Sequence, residues 1–301
     1  MTRKVLAGDL GGTHLRFAVV DASGSVVSQV AKWRVPHAVS PDGLIELVRT
    51  MADEFSGHTF DAVALTAPAP AAKDFDGVLT KLPNLPSVTG MNLKTQLAKV
   101  FDLPITVEND ANAAAIGEAW VGATRGMGNS ICVTLGTGIG GGLILNGEPY
   151  RGPDGSAGEL GHFTVEPDGP LCKCGSHGCV ELYASATAIV RMAAENGLTR
   201  ETAEDVYKAW QNGDERASAV FTSMGRYLGI VLAGLINTLN PDAIVICGGA
   251  SGAWDAFIPS LEAEIHERAY PAPVARSRIV RGELGDTAGI IGVARSAFLS
   301  L

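Results

Sequence analysis

Cysteine, charge and aromatic residues are all scarce in this chain, and each shortage narrows what it can be. Five cysteines in 301 residues are too sparse for a small disulfide-built extracellular scaffold, where cysteine is dense. A charged fraction of 18% beside an apolar fraction of 46% excludes a disordered chain, which stays open because it is poor in apolar residues and rich in net charge. Lysine and arginine total 23 against 32 aspartates and glutamates, a net charge of −9. With no basic stripe and no interleaving of basic and aromatic residues, nothing favours a nucleic-acid backbone, so no nucleic-acid partner is expected. The longest apolar stretch, Leu228 to Ile236, falls far short of the ~20 residues that span a bilayer. Met1-Thr2-Arg3-Lys4 leads into a strand without the apolar core and small-residue cleavage site of a signal peptide. No membrane partner and a reducing, cytoplasmic location are therefore expected. Finally, no glycine run is followed by Gly-Lys-Ser/Thr, so a Walker A phosphate loop is missing.

Glycine is plentiful, with 37 residues, and it punctuates a regular alternation of strands and helices. Residues 4–10, 15–20 and 26–35 read as a three-strand meander and 61–66 as a buried strand. Residues 41–55 place Leu44, Leu47, Val48 and Met51 on one helical face. A loop over 67–90, a helix over 93–101, a strand over 105–108 and an alanine-rich helix to Trp120 follow. Beyond residue 122 the glycine content rises, and a domain boundary is placed there. Residues 130–135 and 142–145 read as strands, about 185–239 as helices, 243–247 as a strand and 287–299 as a closing helix.

Two turns share a design: Asp9-Leu10-Gly11-Gly12-Thr13 and Leu135-Gly136-Thr137-Gly138-Ile139-Gly140-Gly141-Gly142. Each joins two apolar strands. Glycines there let backbone N–H groups crowd toward an anion, and threonine adds a hydroxyl donor. Gly248-Gly249 follows a third strand in the same manner. Together they suit a polyphosphate. Gly136-x-Gly138-x-x-Gly141 also matches the dinucleotide-binding pattern, but that pattern needs a helix after the turn, and Leu143-Ile144-Leu145 reads as strand.

Three of the five cysteines fall within eight residues: Cys172, Cys174 and Cys179, with His162 ten residues upstream of the first. One imidazole and three thiolates make a closed tetrahedral zinc site of the structural kind. A Cys172–Cys174 disulfide would be strained by its single intervening residue. His177 competes with His162 as the fourth ligand, and His162 is preferred because its neighbours look functional. Glu159 and His162 lie three apart, and Glu181 lies two after the last cysteine, so folding the loop around a metal brings all three together. Such a group suits the vicinal hydroxyls of a sugar. Asp110, between a strand and a helix, reads either as a helix cap or as a general base held ionised by the helix N-terminus.

With these segments in hand, the chain resembles the ROK family of bacterial sugar kinases within the actin-like ATPase superfamily. The resemblance rests on residues 9–13, 108–110, 135–142, 159–162, the 172–179 cysteine cluster with Glu181, and Gly248-Gly249. It implies an α/β fold of two ribonuclease-H-like (actin/hexokinase-type) domains with an interdomain cleft: residues 1–121 plus 287–301 as a small domain, and 122–286 as a large domain bearing the zinc loop. It implies Asp110 as the base. It implies Asn84, Asn109, Glu159, His162 and Glu181 at the sugar. Asp9 would orient magnesium through water. Gly11, Gly12, Thr13, Thr137 and Gly138 would hold phosphates, and Gly248 and Gly249 would pack on adenosine. The expected activity is ATP-dependent phosphorylation of the 6-hydroxyl of an aldohexose, glucose first, with N-acetylglucosamine, N-acetylmannosamine or another hexose as alternatives. The expected cofactors are ATP, Mg2+ and structural Zn2+, and the expected assembly is a homodimer. His14, and the segment Ala67-Pro68-Ala69-Pro70-Ala71-Ala72, depart from the usual pattern. A sugar-responsive transcriptional regulator is the competing class, disfavoured because only eight residues precede Asp9.

Overall fold

The computed structural model describes residues 2–11, 14–68, 78–79 and 85–301. The first sheet holds β1 (Lys4–Leu10), β2 (His14–Asp21), β3 (Ala31–Arg34), β4 (Ala62–Ala67) and β5 (Ile105–Asn109) in the order β3-β2-β1-β4-β5. β1 and β2 pair antiparallel, as do β2 and β3, whereas β1, β4 and β5 run parallel. Helices α1 (Pro41–Asp53), α2 (Leu93–Leu97) and α3 (Asp110–Val121) belong with this sheet. The start of α1 is set locally: Ser40 Oγ accepts from Gly43 N at 3.1 Å, and Pro41 fills the first turn, where no amide partner is needed.

The second sheet holds β6 (Ser130–Leu135), β7 (Ile139–Leu145), β8 (Glu148–Pro149), β9 (Ala243–Cys247) and β10 (Arg278–Arg281), ordered β10-β9-β6-β7-β8. Its helices are α4 (Glu181–Ala184), α5 (Ala186–Glu195), α6 (Ala203–Gln211), α7 (Glu215–Leu239), α8 (Trp254–Arg268) and α9 (Pro271–Val274), before α10 (Ala288–Ser300) closes the chain. Position for position, the two sheets have the same strand order, with β6 to β10 taking the places of β1 to β5. The class is α/β, built from two ribonuclease-H-like sheets.

Two compact units result: 1–126 with 142–157 and 283–301, and 127–141 with 158–282. In the first, alternate residues of β1 feed opposite sides of the sheet, as strand geometry requires. Leu6 and Leu10 join Leu44, Val48 and Met51 of α1. Val5 and Ala7 join Ala113 of α3 and Ile290, Val293 and Ala294 of α10. In the second unit α7 is long and apolar enough to cross a membrane by composition, yet most of its apolar stretch is buried. Gly225 and Gly229 bring it against α8, where an added Cβ on Gly225 would overlap the Phe257 carbonyl.

The strand expected over 26–35 is shorter. Val27 N still bonds Val19 O at 2.8 Å, but the Ser28 hydroxyl takes the Val19 amide at 2.9 Å, so a side chain interrupts the ladder and β3 begins at Ala31. β7 begins at residue 139, three residues earlier than its sequence pattern suggests, because its glycines are strand positions crowded by neighbours. A Cβ on Gly142 would sit 2.8 Å from the Ala111 carbonyl. A strand therefore follows the Gly136-x-Gly138-x-x-Gly141 turn, and the dinucleotide-binding geometry is absent there.

Candidate functional site

In the first unit the β1–β2 turn presents Asp9. Its Oδ1 accepts from Thr66 Oγ1 at 2.6 Å, its Oδ2 from Arg16 Nη1 at 3.2 Å, and Thr66 Oγ1 also receives Leu10 N at 3.3 Å. The carboxylate is thus oriented by a neighbouring strand and a cation before any ligand arrives. Gly289 of α10 keeps space beside it: a Cβ there would lie 3.3 Å from Asp9 Oδ1. Gly11 N bonds His14 O at 2.9 Å, closing the turn. Gly12, Thr13 and Asn84 lie outside the described residues. The His14 imidazole is held below its usual range by desolvation first, then by Lys32, Arg16 and Arg34.

At the β5–α3 junction the two readings of the Asn-Asp pair separate. Asn109 is the cap, its side-chain oxygen accepting from Asn112 N at 2.9 Å. Asp110 is the first helical residue, half-buried, with Oδ1 accepting from Ala111 N at 2.8 Å. A carboxylate there faces the positive end of a twelve-residue helix, which favours its ionised form.

In the second unit the four donor atoms of His162, Cys172, Cys174 and Cys179 all lie within 4.8 Å of one another. Cys174 Sγ is 3.6 Å from Cys179 Sγ, and His162 Nδ1 is 3.8 Å from Cys172 Sγ. Zinc with bonds of about 2.0–2.3 Å sets tetrahedral donors about 3.5–3.8 Å apart, so the donor set fits this metal. Burial pushes the Cys179 thiol up to about 12, while the Ser176 amide lowers the more exposed Cys174. A buried thiol of this kind ionises when a cation compensates it. His177 is placed elsewhere, its Nδ1 3.0 Å from the Gly169 carbonyl. His162 turns Nδ1 to the sulfurs and Nε2 toward Glu159, 3.9 Å from Oε2. The loop is tightly folded: a Cβ on Gly178 would overlap the Glu166 carbonyl, and Tyr227 of α7 donates to Glu166 Oε1 at 2.9 Å.

Glu181 opens α4 and joins the loop to the glycine turn. Its Oε2 accepts from Ile139 N at 3.0 Å, and a side chain at Gly138 would collide with it. Thr137 O receives the Thr187 hydroxyl at 2.8 Å, and Gly136 O receives Ala186 N at 2.8 Å, so α5 braces the same turn. Gly248 has φ +86°, and a Cβ there would press within 2.5 Å of the Leu135 carbonyl, whereas Gly249 has open space on its Cβ side. Gly248 needs glycine because of its backbone conformation and crowding; Gly249 carries no such constraint.

Sequence reasoning gave no role to two residues that the first unit pairs. Glu108, 4% exposed at the end of β5, is gripped by Arg151 through Nε at 3.4 Å and, more closely, through Nη2. The signal available was an acidic residue in an otherwise apolar strand; nothing in the pattern linked it to an arginine 43 positions away.

The two sheets of one topology and the glycine turns at their strand ends define an actin-like α/β protein. The chain matches the ROK family over residues 5–297. It is 36% identical to a glucokinase of Halalkalibacterium halodurans, covering 94% of this chain and 92% of that one. It is 28% identical to the xylose repressor of Bacillus subtilis over 95% of this chain and 74% of the repressor. Among solved structures, a ROK family glucokinase from Streptomyces griseus in complex with glucose and AMPPNP superposes with a TM-score of 0.83 at 31% identity, covering 97% of this chain and 98% of that one. This protein belongs to the ROK family.

Proposed function

We propose that the protein transfers the γ-phosphoryl group of ATP to the 6-hydroxyl of an aldohexose, with glucose the preferred acceptor. The observation that carries this reading is Asp110: a half-buried carboxylate at the first residue of a helix whose cap is Asn109. As base it accepts the hydroxyl proton while the oxygen attacks phosphorus. Asn84, Asn109, Glu159, His162 and Glu181 are the residues assigned to the remaining hydroxyls. The turns containing Gly11, Gly12 and Thr13, and Thr137 and Gly138, offer N–H and O–H donors to the phosphates; Gly248 and Gly249 lie along adenosine. Phosphoryl transfer asks mainly for this positioning and charge stabilisation. Magnesium, oriented by Asp9 through water, would neutralise charge on the donor phosphates. Zinc on His162, Cys172, Cys174 and Cys179 would fix the loop that presents Glu159 and the free edge of His162. The similarity to glucokinases supports glucose over other hexoses.

Asp110→Asn tests the assignment. A positioned base contributes about 10²–10⁴-fold, so turnover should fall by that factor while glucose binding persists. ADP release measured by a coupled assay over a panel of hexoses identifies the acceptor, and near-normal turnover of Asp110→Asn sinks the proposed base. The likeness to a xylose repressor favours a second reading, sugar sensing without catalysis. Sugar binding with no ADP release from the wild type would select it.

A further inference from the structure

The Glu108–Arg151 pair joins a buried carboxylate to a partly exposed guanidinium, and neither residue has a role in the proposed transfer. The Glu108 carboxylate collects donors from three directions: Arg151 Nε at 3.4 Å together with Nη2, Ser296 Oγ of α10 at 3.4 Å, and the Asn109 amide at 3.1 Å. Burying the Glu108 carboxylate is costly unless it is paired and hydrogen-bonded. What the pair adds is direction. Arginine grips a carboxylate with a rigid two-pronged fork, and here the gripped residue is followed at once by Asn109 and Asp110. The carboxylate in turn holds the Asn109 amide, the peptide that leads into the start of α3. Arg151 also acts through its backbone: its carbonyl accepts Ala157 N at 3.1 Å, closing the loop 151–157 just before Glu159. The backbone bond is open to any residue at 151; the guanidinium is what fixes the strand end before the proposed base.

We propose that Arg151 is a positioning residue for phosphoryl transfer, aligning Asn109 and Asp110 through Glu108. The inference rests on the kinase reading. It is tested with the full-length wild type and Arg151→Ala, Arg151→Lys and Glu108→Gln, each measured for kcat, KM for glucose and for ATP, and thermal midpoint. Misplacing a reacting group by about 1 Å can cost about 100-fold, so Arg151→Ala should lose between ~10- and ~100-fold in kcat. Its KM for glucose should rise and its KM for ATP should stay unchanged. Arg151→Lys should recover part of the loss, since lysine keeps the charge without the fork. Glu108→Gln should fall in the same direction as Arg151→Ala. A lowered thermal midpoint with wild-type kcat in the folded protein would assign the pair to stability alone and overturn the inference, leaving the kinase reading intact. A wild type inactive on every hexose overturns both. If Arg151→Ala does not fold, Arg151→Lys and Glu108→Gln decide: unchanged kcat in both overturns the inference.

Discussion

At the C-terminal end of α3 the chain turns around one carboxylate. Glu118 is fully buried; its Oε2 accepts from Ala123 N at 2.8 Å and Glu283 N at 3.2 Å, and its Oε1 from Leu284 N at 3.0 Å. A Cβ on Gly122 would strike the same carboxylate, so the glycine leaves it room. Glu118→Ala strands three amides and opens a void, and leaving buried donors unpaired costs about 1–3 kcal/mol. We expect at least that loss of stability in urea unfolding, and a midpoint equal to wild type would refute the role. Residues of this sort were not legible in the sequence, because a glutamate inside an alanine-rich helix reads as a solvated face. Asp110 was legible as a candidate for either a helix cap or a base. The hydrogen bond from Asn112 N to the Asn109 side chain gives the cap to Asn109.

Two elements carry most of the local architecture. The His/Cys loop was readable because its donors are close in sequence and chemically unusual, and its pattern favoured His162 over His177 as the fourth donor. In the fold His177 meets the Gly169 carbonyl and His162 Nδ1 lies 3.8 Å from Cys172 Sγ. We expect one zinc per chain by elemental analysis. Stripping it with a chelator should weaken glucose binding in calorimetry as well as lower the melting temperature; unchanged glucose affinity in the stripped protein would contradict the loop's assigned task. The α3–α10 pair was less readable. Gly117 and Gly292 let the two helices approach until backbone meets backbone: a Cβ on Gly292 would overlap the Ala113 carbonyl, and one on Gly117 would meet Ala288 O at 2.5 Å. Overpacking of a tight contact costs about 1–3 kcal/mol. Gly292→Ala should therefore destabilise the protein by at least that range despite alanine's better helix propensity. A gain in stability would show that the helices can part without cost.

On the scale of the whole molecule, the same strand order recurs in both sheets although no short-period sequence repeat announces it. Each copy ends its first strand in a turn assigned here to phosphate. If ligands bind only the folded chain, they stabilise it by mass action, about 2.7 kcal/mol at a concentration 100 times Kd. Saturating glucose, and a non-hydrolysable ATP analogue with magnesium, should each raise the melting temperature. A sugar without affinity should leave it unmoved, and no shift with any hexose would argue against a sugar site of any kind.

The sequence by itself determined the α/β class, the glycine turns, the His/Cys donor cluster and the junction holding Asp110. Those signals are local: period, turn chemistry and metal-ligand spacing all act over a few residues. It left unspoken α8, β10, the Glu118 knot and the Glu108–Arg151 pair. These depend on contacts between positions as far apart as 188 residues, as in Ser296 with Glu108. Only the packed chain brings such groups within hydrogen-bonding range, and only there does burial give a buried charge the partners it requires.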